Sequence, residues 1–102
     1  VREGVYSLKD LPYYLSHKVA DRFRIVDRGY IREGYWADLV LVDLDSPQSA
    51  SRENVNYFCG WSPFEGDTFN SKVVSTFVNG NLAYSEGKVL ESNLGVQLEF
   101  DR

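Results

Sequence analysis

The chain has 102 residues, of which 43% are hydrophobic, 15% aromatic and 25% charged: enough for one domain or part of one, and too apolar for a disordered tail. With 11 basic and 15 acidic residues the net charge is -4, which argues against a nucleic-acid binder. The single cysteine, Cys59, excludes an internal disulfide framework and points to a reducing compartment. No run reaches bilayer-spanning length and no signal-peptide pattern opens the chain. Val1 stands where a methionine would begin a chain, and the text after it reads like the interior of a longer protein.

Residues 1–6 read as an entry loop. Ser7 is placed to cap a helix, with Asp10 at the fourth position of a capping-box-like Ser-Leu-Lys-Asp. Leu8, Leu11, Leu15 and Val19 recur at spacings of three and four, which predicts a helix over 9–21 with one apolar stripe. Pro12 moves the true start toward Asp10, so that the proline falls inside the first turn. Such a stripe needs a partner surface that a lone helix does not supply. Phe23, Ile25 and Val26 follow as a short apolar patch, and Arg28-Gly29 and Glu33-Gly34 predict two tight turns around Tyr30 and Ile31.

Residues 37–44 read as a strand whose unbroken apolar centre, Leu39 to Val42, asks for cover on both faces. The stretch 46–72 lacks periodicity and is long for a connector. Its aromatic residues Tyr57, Phe58, Trp61 and Phe64 are costly to leave wet, and the leading reading is a clasp onto another part of a larger protein. Residues 73–78 form the next strand. Asn79-Gly80 then supplies a hairpin turn, Asn81 to Tyr84 returns, and Glu86-Gly87-Lys88 turns again toward Val89-Leu90. From Ser92 to Arg102, with Val96, Leu98 and Phe100 on one side, the chain is either an edge strand or a draped tail. One helix and about four strands make an α+β pattern.

Chemistry-bearing constellations are sparse. One histidine and one cysteine, 42 positions apart, make no zinc-ligand pattern, and no calcium-loop spacing occurs. His17 lies opposite the leucine stripe, with only Ser16 and Lys18 beside it, and reads as a surface residue or one meeting a loop. Cys59 reads as a packing residue. Asp43/Asp45 and Glu65/Asp67 read as solvated carboxylates rather than an acid and base. Lys18, Arg22, Arg24, Arg28 and Arg32 alternate with Asp21, Asp27 and Glu33, so they form no phosphate-binding patch. The glycines make neither a dinucleotide-binding nor a Walker pattern.

Three segments carry a resemblance. Residues 28–43, in which a Gly-Tyr-Ile-Arg-Glu-Gly turn leads into Ala37-Asp38-Leu39-Val40, resemble a passage shared across the amidohydrolase superfamily. Ser62-Pro63-Phe64-Glu65-Gly66 is similar to the cyclic-amide branch, and Cys59-Gly60-Trp61 before it favours dihydroorotases. Val74-Ser75-Thr76-Phe77-Val78-Asn79-Gly80 with Tyr84-Ser85-Glu86-Gly87 is similar to that family's terminal hairpin. Lys18-Val19-Ala20 departs from the Asn-Pro-Ala usual near the helix end.

The resemblance implies a carboxy-terminal segment: the last helix of a (β/α)8 barrel with its entry loop at 1–22, then part of a small β-sandwich at 23–102 with the aromatic loop at 46–72. It implies a cytoplasmic parent that hydrolyses dihydroorotate reversibly in pyrimidine synthesis at a zinc centre. None of that centre's ligand motifs occurs here, so no catalytic, cofactor-binding or metal residue is expected in this segment. The expected structural residues are Asp38, Trp61, Pro63, Phe64, Gly66, Asn79 and Gly80. The implied partners are the barrel and amino-terminal strands of the parent. No nucleic-acid or membrane partner is implied, and a homo-oligomer is left open. Allantoinases, hydantoinases and dihydropyrimidinases are the alternative parents, and an independent binding module the other.

Overall fold

The computed structural model describes residues 1–90 and 95–102, which fall into two compact units. The first unit contains Val1–Asp38, Val78–Asn81 and the described residues 95–102; the second contains Leu39–Phe77 and the described residues 82–90.

The first unit is built on one helical run, α1, made of an α turn Asp10–Pro12, a π turn Tyr13–His17 and an α stretch Lys18–Phe23. It begins one residue later and ends two residues later than the stripe predicts. At the start, the Ser7 hydroxyl donates to Asp10 Oδ2 at 2.8 Å instead of accepting from the helix, so the reciprocal capping box does not form. The short Asp10 side chain still caps the Ser7 N–H at 2.7 Å. Pro12 is the third helical residue, where a missing N–H costs nothing. At the far end Arg24 takes the left-handed conformation (φ 54°), and Ile25 N–H donates to Ala20 O at 2.9 Å. That is a Schellman ending with arginine where glycine is usual, which hides the terminus from a sequence reading.

The face of α1 that packs is not the leucine stripe. Ala20 is the one buried apolar side chain among the described residues, at 5% exposure, and Gly29 lies against it. Ser16 Oγ donates to Gly29 O at 2.7 Å, and His17 stacks on Tyr30 at 4.2 Å. The Tyr30 hydroxyl donates to the Asp21 carboxylate at 2.8 Å. Leu15 meanwhile is 74% exposed, and Leu8 and Val19 are also exposed. The 95–102 segment joins this unit through a single antiparallel bridge, Ile25 with Phe100, so it is neither a full strand nor unattached. The expected tail begins at Ser92, and Ser92 to Leu94 lie outside the described residues.

The second unit holds most of a four-stranded antiparallel sheet in the order β1-β4-β5-β6, with β1 Leu39–Asp43, β4 Lys72–Val78, β5 Asn81–Ser85 and β6 Lys88–Val89. Valine, threonine and phenylalanine favour the pleated backbone along β4. β1 pairs Leu39 with Phe77 and Leu41 with Ser75, then slips at Val42, where β4 carries one extra residue, Val74. Asn79 and Gly80 both have positive φ (51° and 82°), as a two-residue primed turn requires, and Glu86-Gly87 repeats the device.

Two expectations need correction here. β1 is an edge strand with Val40, Leu41 and Val42 exposed, not a strand covered on both faces within this segment. The stretch 46–72 is not bare loop either. β2 (Gln48–Ser49) pairs with β3 (Thr68–Phe69) as a two-stranded ladder that pinches it at the base. Between them, a 3-10 turn at Arg52–Asn54 is capped where Ser51 N–H donates to Asn54 Oδ1 at 3.0 Å. Two-residue strands leave no periodic signature, which is why the sequence reading misses them.

Candidate functional site

The most tightly built polar cluster is a clamp within the first unit. Residues 27–38 form a loop closed by Trp36 N–H donating to Asp27 O at 2.9 Å, with Gly29 and Gly34 at positive φ. That closure carries Arg28 inward, to 9% exposure. Its Nη1 donates to Asp38 Oδ2 and to Asn79 Oδ1, the latter at 2.8 Å. Asp38 Oδ1 accepts the Asn79 backbone N–H at 2.9 Å, and Gly80 N–H donates to Ala37 O at 3.0 Å. Arg28 Nη2 is buried without an oxygen or nitrogen acceptor. The Trp36 ring, 5.0 Å from the guanidinium carbon, is the electron-rich group beside this cation.

The expected structural residues Asp38, Asn79 and Gly80 thus come together, around an arginine that the sequence reading left among alternating surface charges. Its two polar contacts span 10 and 51 positions, beyond any local pattern. The clamp holds a turn in place. Among the described residues it sets no nucleophile next to a base.

The remaining expected residues, Trp61, Pro63, Phe64 and Gly66, lie in the second unit's aromatic loop. Gly66 has φ 92° and its N–H donates to Ala50 O at 2.9 Å, closing the loop base. Pro63 is exposed. Phe64 meets Phe69 edge-to-face at 6.0 Å. The Tyr57 hydroxyl donates to Trp61 O, and Gly60 N–H to Tyr57 O, so residues 57–61 make a fixed turn. Phe58 at its tip is fully exposed, and Trp61 is 55% exposed.

The donors present do not fit a zinc centre. Among the described residues no group of three or more His, Cys, Asp or Glu side chains gathers as a metal site. His17 is held in its stack on Tyr30, and Cys59 is exposed with Sγ 3.8 Å from Trp61 O. Asp43 is engaged locally, accepting Asp45 N–H at 3.0 Å, and Glu65 lies 3.9 Å from Arg52 Nε. A shallow hollow of about 450 Å³ on the second unit is lined by Asp43, Lys72, Tyr84 and Glu86 among others, and contains no paired nucleophile and base. Among the described residues no helix is long and apolar enough to cross a membrane.

No protein-family model matches the chain. It is 33% identical over 93 residues to an allantoinase of Desulfitobacterium hafniense, which covers 91% of this chain and 21% of that protein. It is 35% identical over 86 residues to a dihydroorotase of Clostridium acetobutylicum, covering 84% of this chain and 20% of that protein. Among solved structures it superposes on an L-hydantoinase (dihydropyrimidinase) from Arthrobacter aurescens with a TM-score of 0.80 and 28% identity, over 88% of this chain and 20% of that one. The chain therefore spans about a fifth of the length of these relatives. Sequence and fold agree across nearly the whole segment, and the chain belongs to the amidohydrolase superfamily, in the cyclic-amide-hydrolase branch of dihydroorotases, allantoinases and hydantoinases.

Proposed function

We propose that this segment is the carboxy-terminal structural portion of a zinc-dependent dihydroorotase, which opens the ring amide of dihydroorotate reversibly to N-carbamoyl-aspartate. In this reading 1–22 is the last barrel helix with its entry loop, and 23–102 is part of the small β-sandwich. The metal and the reacting groups come from the parent's other residues. The parent is a cytoplasmic enzyme, and this segment's partners are the barrel and the amino-terminal strands.

The observation that carries the reading is uncovered apolar surface on well-formed secondary structure. Leu15 is 74% exposed, Val40 59%, Trp61 55% and Phe58 fully exposed, although side chains of this kind are the ones a folded domain usually buries. Helix stripe, edge strand and aromatic loop each contribute. Large apolar side chains exposed together on one element mark surfaces built to be covered. Membership of the superfamily says what kind of body does the covering.

A second reading, an allantoinase parent, is favoured by the 33% identity over 93 residues to the Desulfitobacterium protein. Cys59-Gly60-Trp61 ahead of Ser62-Pro63-Phe64 resembles dihydroorotases and supports the first. Turnover by the full parent chain tests it. Hydrolysis of dihydroorotate is expected, with none from this segment supplied with zinc. Preferential hydrolysis of allantoin moves the assignment to the second reading, and turnover by the segment alone contradicts both.

A further inference from the structure

The turn Asn79-Gly80 combines the best geometry for a tight hairpin with the dipeptide most prone to spontaneous deamidation. Glycine lacks a side chain to shield its nitrogen, and asparagine holds an amide carbon one five-membered ring away. We propose that Asn79 is a latent deamidation site that the Arg28–Asp38 clamp keeps closed.

The reaction is intramolecular. The Gly80 nitrogen loses its proton and attacks Asn79 Cγ. The new C–N bond closes a cyclic imide as the Cγ–Nδ2 bond breaks, and Nδ2 leaves as ammonia. Water then opens either imide carbonyl, giving aspartate or isoaspartate. One water is consumed and one ammonia released, with no redox partner.

Both reacting groups are held. The nucleophile's N–H donates to Ala37 O at 3.0 Å, and that bond must break before the nitrogen can attack. The electrophile's Oδ1 accepts from Arg28 Nη1 at 2.8 Å, which fixes the side chain toward the clamp. The Asn79 N–H is tied to Asp38 Oδ1 at 2.9 Å, fixing the backbone between them. Arg28 is itself buried and ion-paired to Asp38, so it is not free to follow a moving amide. Deamidation would set a new carboxylate beside Asp38 in competition for the same guanidinium. Isoaspartate would also lengthen the backbone inside a two-residue turn. Both changes loosen the β4–β5 connection.

The test follows Asn79 in the full chain that carries this segment, incubated at mildly alkaline pH, digested with trypsin, and read by mass spectrometry of peptide 73–88. The same peptide incubated free is the reference, and Asn70-Ser71 in the neighbouring peptide reports unfolding. Asn79 should deamidate roughly ten- to a hundred-fold more slowly in the protein than in the free peptide, the factor expected from one charge-assisted hydrogen bond. Arg28→Gln should remove most of that protection while the Asn70 rate stays put. Equal rates in protein and peptide overturn the proposal, and so does a folded Arg28→Gln protein that remains as slow as the parent or becomes slower. If Arg28→Gln also speeds Asn70, the variant has unfolded, and the protein-to-peptide comparison decides alone. None of these readouts depends on which cyclic amide the parent hydrolyses.

Discussion

A side chain on Gly29 would place its Cβ 2.4 Å from the Cβ of Ala20, and the Gly29 backbone is held at φ +86°. This contact joins the helix to the loop that carries Arg28. Gly29→Ala meets both a clash and a left-handed backbone, and is expected to cost about 2–5 kcal/mol. Gly80→Ala, with nothing within 4 Å of its Cβ and φ +82°, is expected to cost only about 1–2 kcal/mol. Urea unfolding of the two variants in the full chain checks the order. A Gly29→Ala protein as stable as Gly80→Ala would remove the Gly29–Ala20 contact from the account.

Asp38 is the counter-ion of a buried arginine. Asp38→Ala leaves Arg28 with its charge unpaired and frees the Asn79 N–H. Because the Asp38 side chain is 37% exposed, water offsets part of the loss, and about 2–4 kcal/mol is expected. The same unfolding measurement reads it; a loss below that of an ordinary surface substitution would make the clamp incidental.

Much of this was legible in the sequence, and the exceptions have physical causes. The Asn79-Gly80 and Glu86-Gly87 turns announce themselves because positive φ restricts which residues serve. The helix appears because its stripe is periodic. Its packing face does not, because the contacts there are made by Ser16, His17, Ala20 and Asp21, which carry no periodic hydrophobic signal. Of the stripe that reveals the helix, Leu8, Leu15 and Val19 stay exposed in this segment. Arg28 is hidden for a related reason: a charge looks like surface until its partners, distant in sequence, are placed beside it. The β2–β3 ladder is too short to leave any period.

Two groups report pH in opposite directions. The Ser7 backbone N–H, and next its hydroxyl, donate to Asp10 and hold its carboxyl below the usual carboxylate range. Its contribution to the helix start is present above the unfolded carboxylate value and is lost as pH falls through the depressed one. The Tyr30 hydroxyl donates to Asp21, which raises its pKa above the ordinary phenol value. Its contribution is present below that ordinary value and lost as pH rises through the raised one. Carboxyl-carbon NMR of Asp10, and phenolate absorbance compared between the parent and Tyr30→Phe, should show midpoints displaced down and up respectively. A displacement of either in the other direction contradicts the hydrogen bond assigned to it.

The central claim is that the exposed apolar surfaces of this segment are docking faces for the rest of its parent chain. Radical footprinting tests it most directly, comparing the full parent with this segment alone at Leu15, Phe58, Trp61 and Phe64. Strong protection of these residues in the full chain, and heavy labelling in the isolated segment, is the predicted result. Equal labelling of all four in both would contradict it.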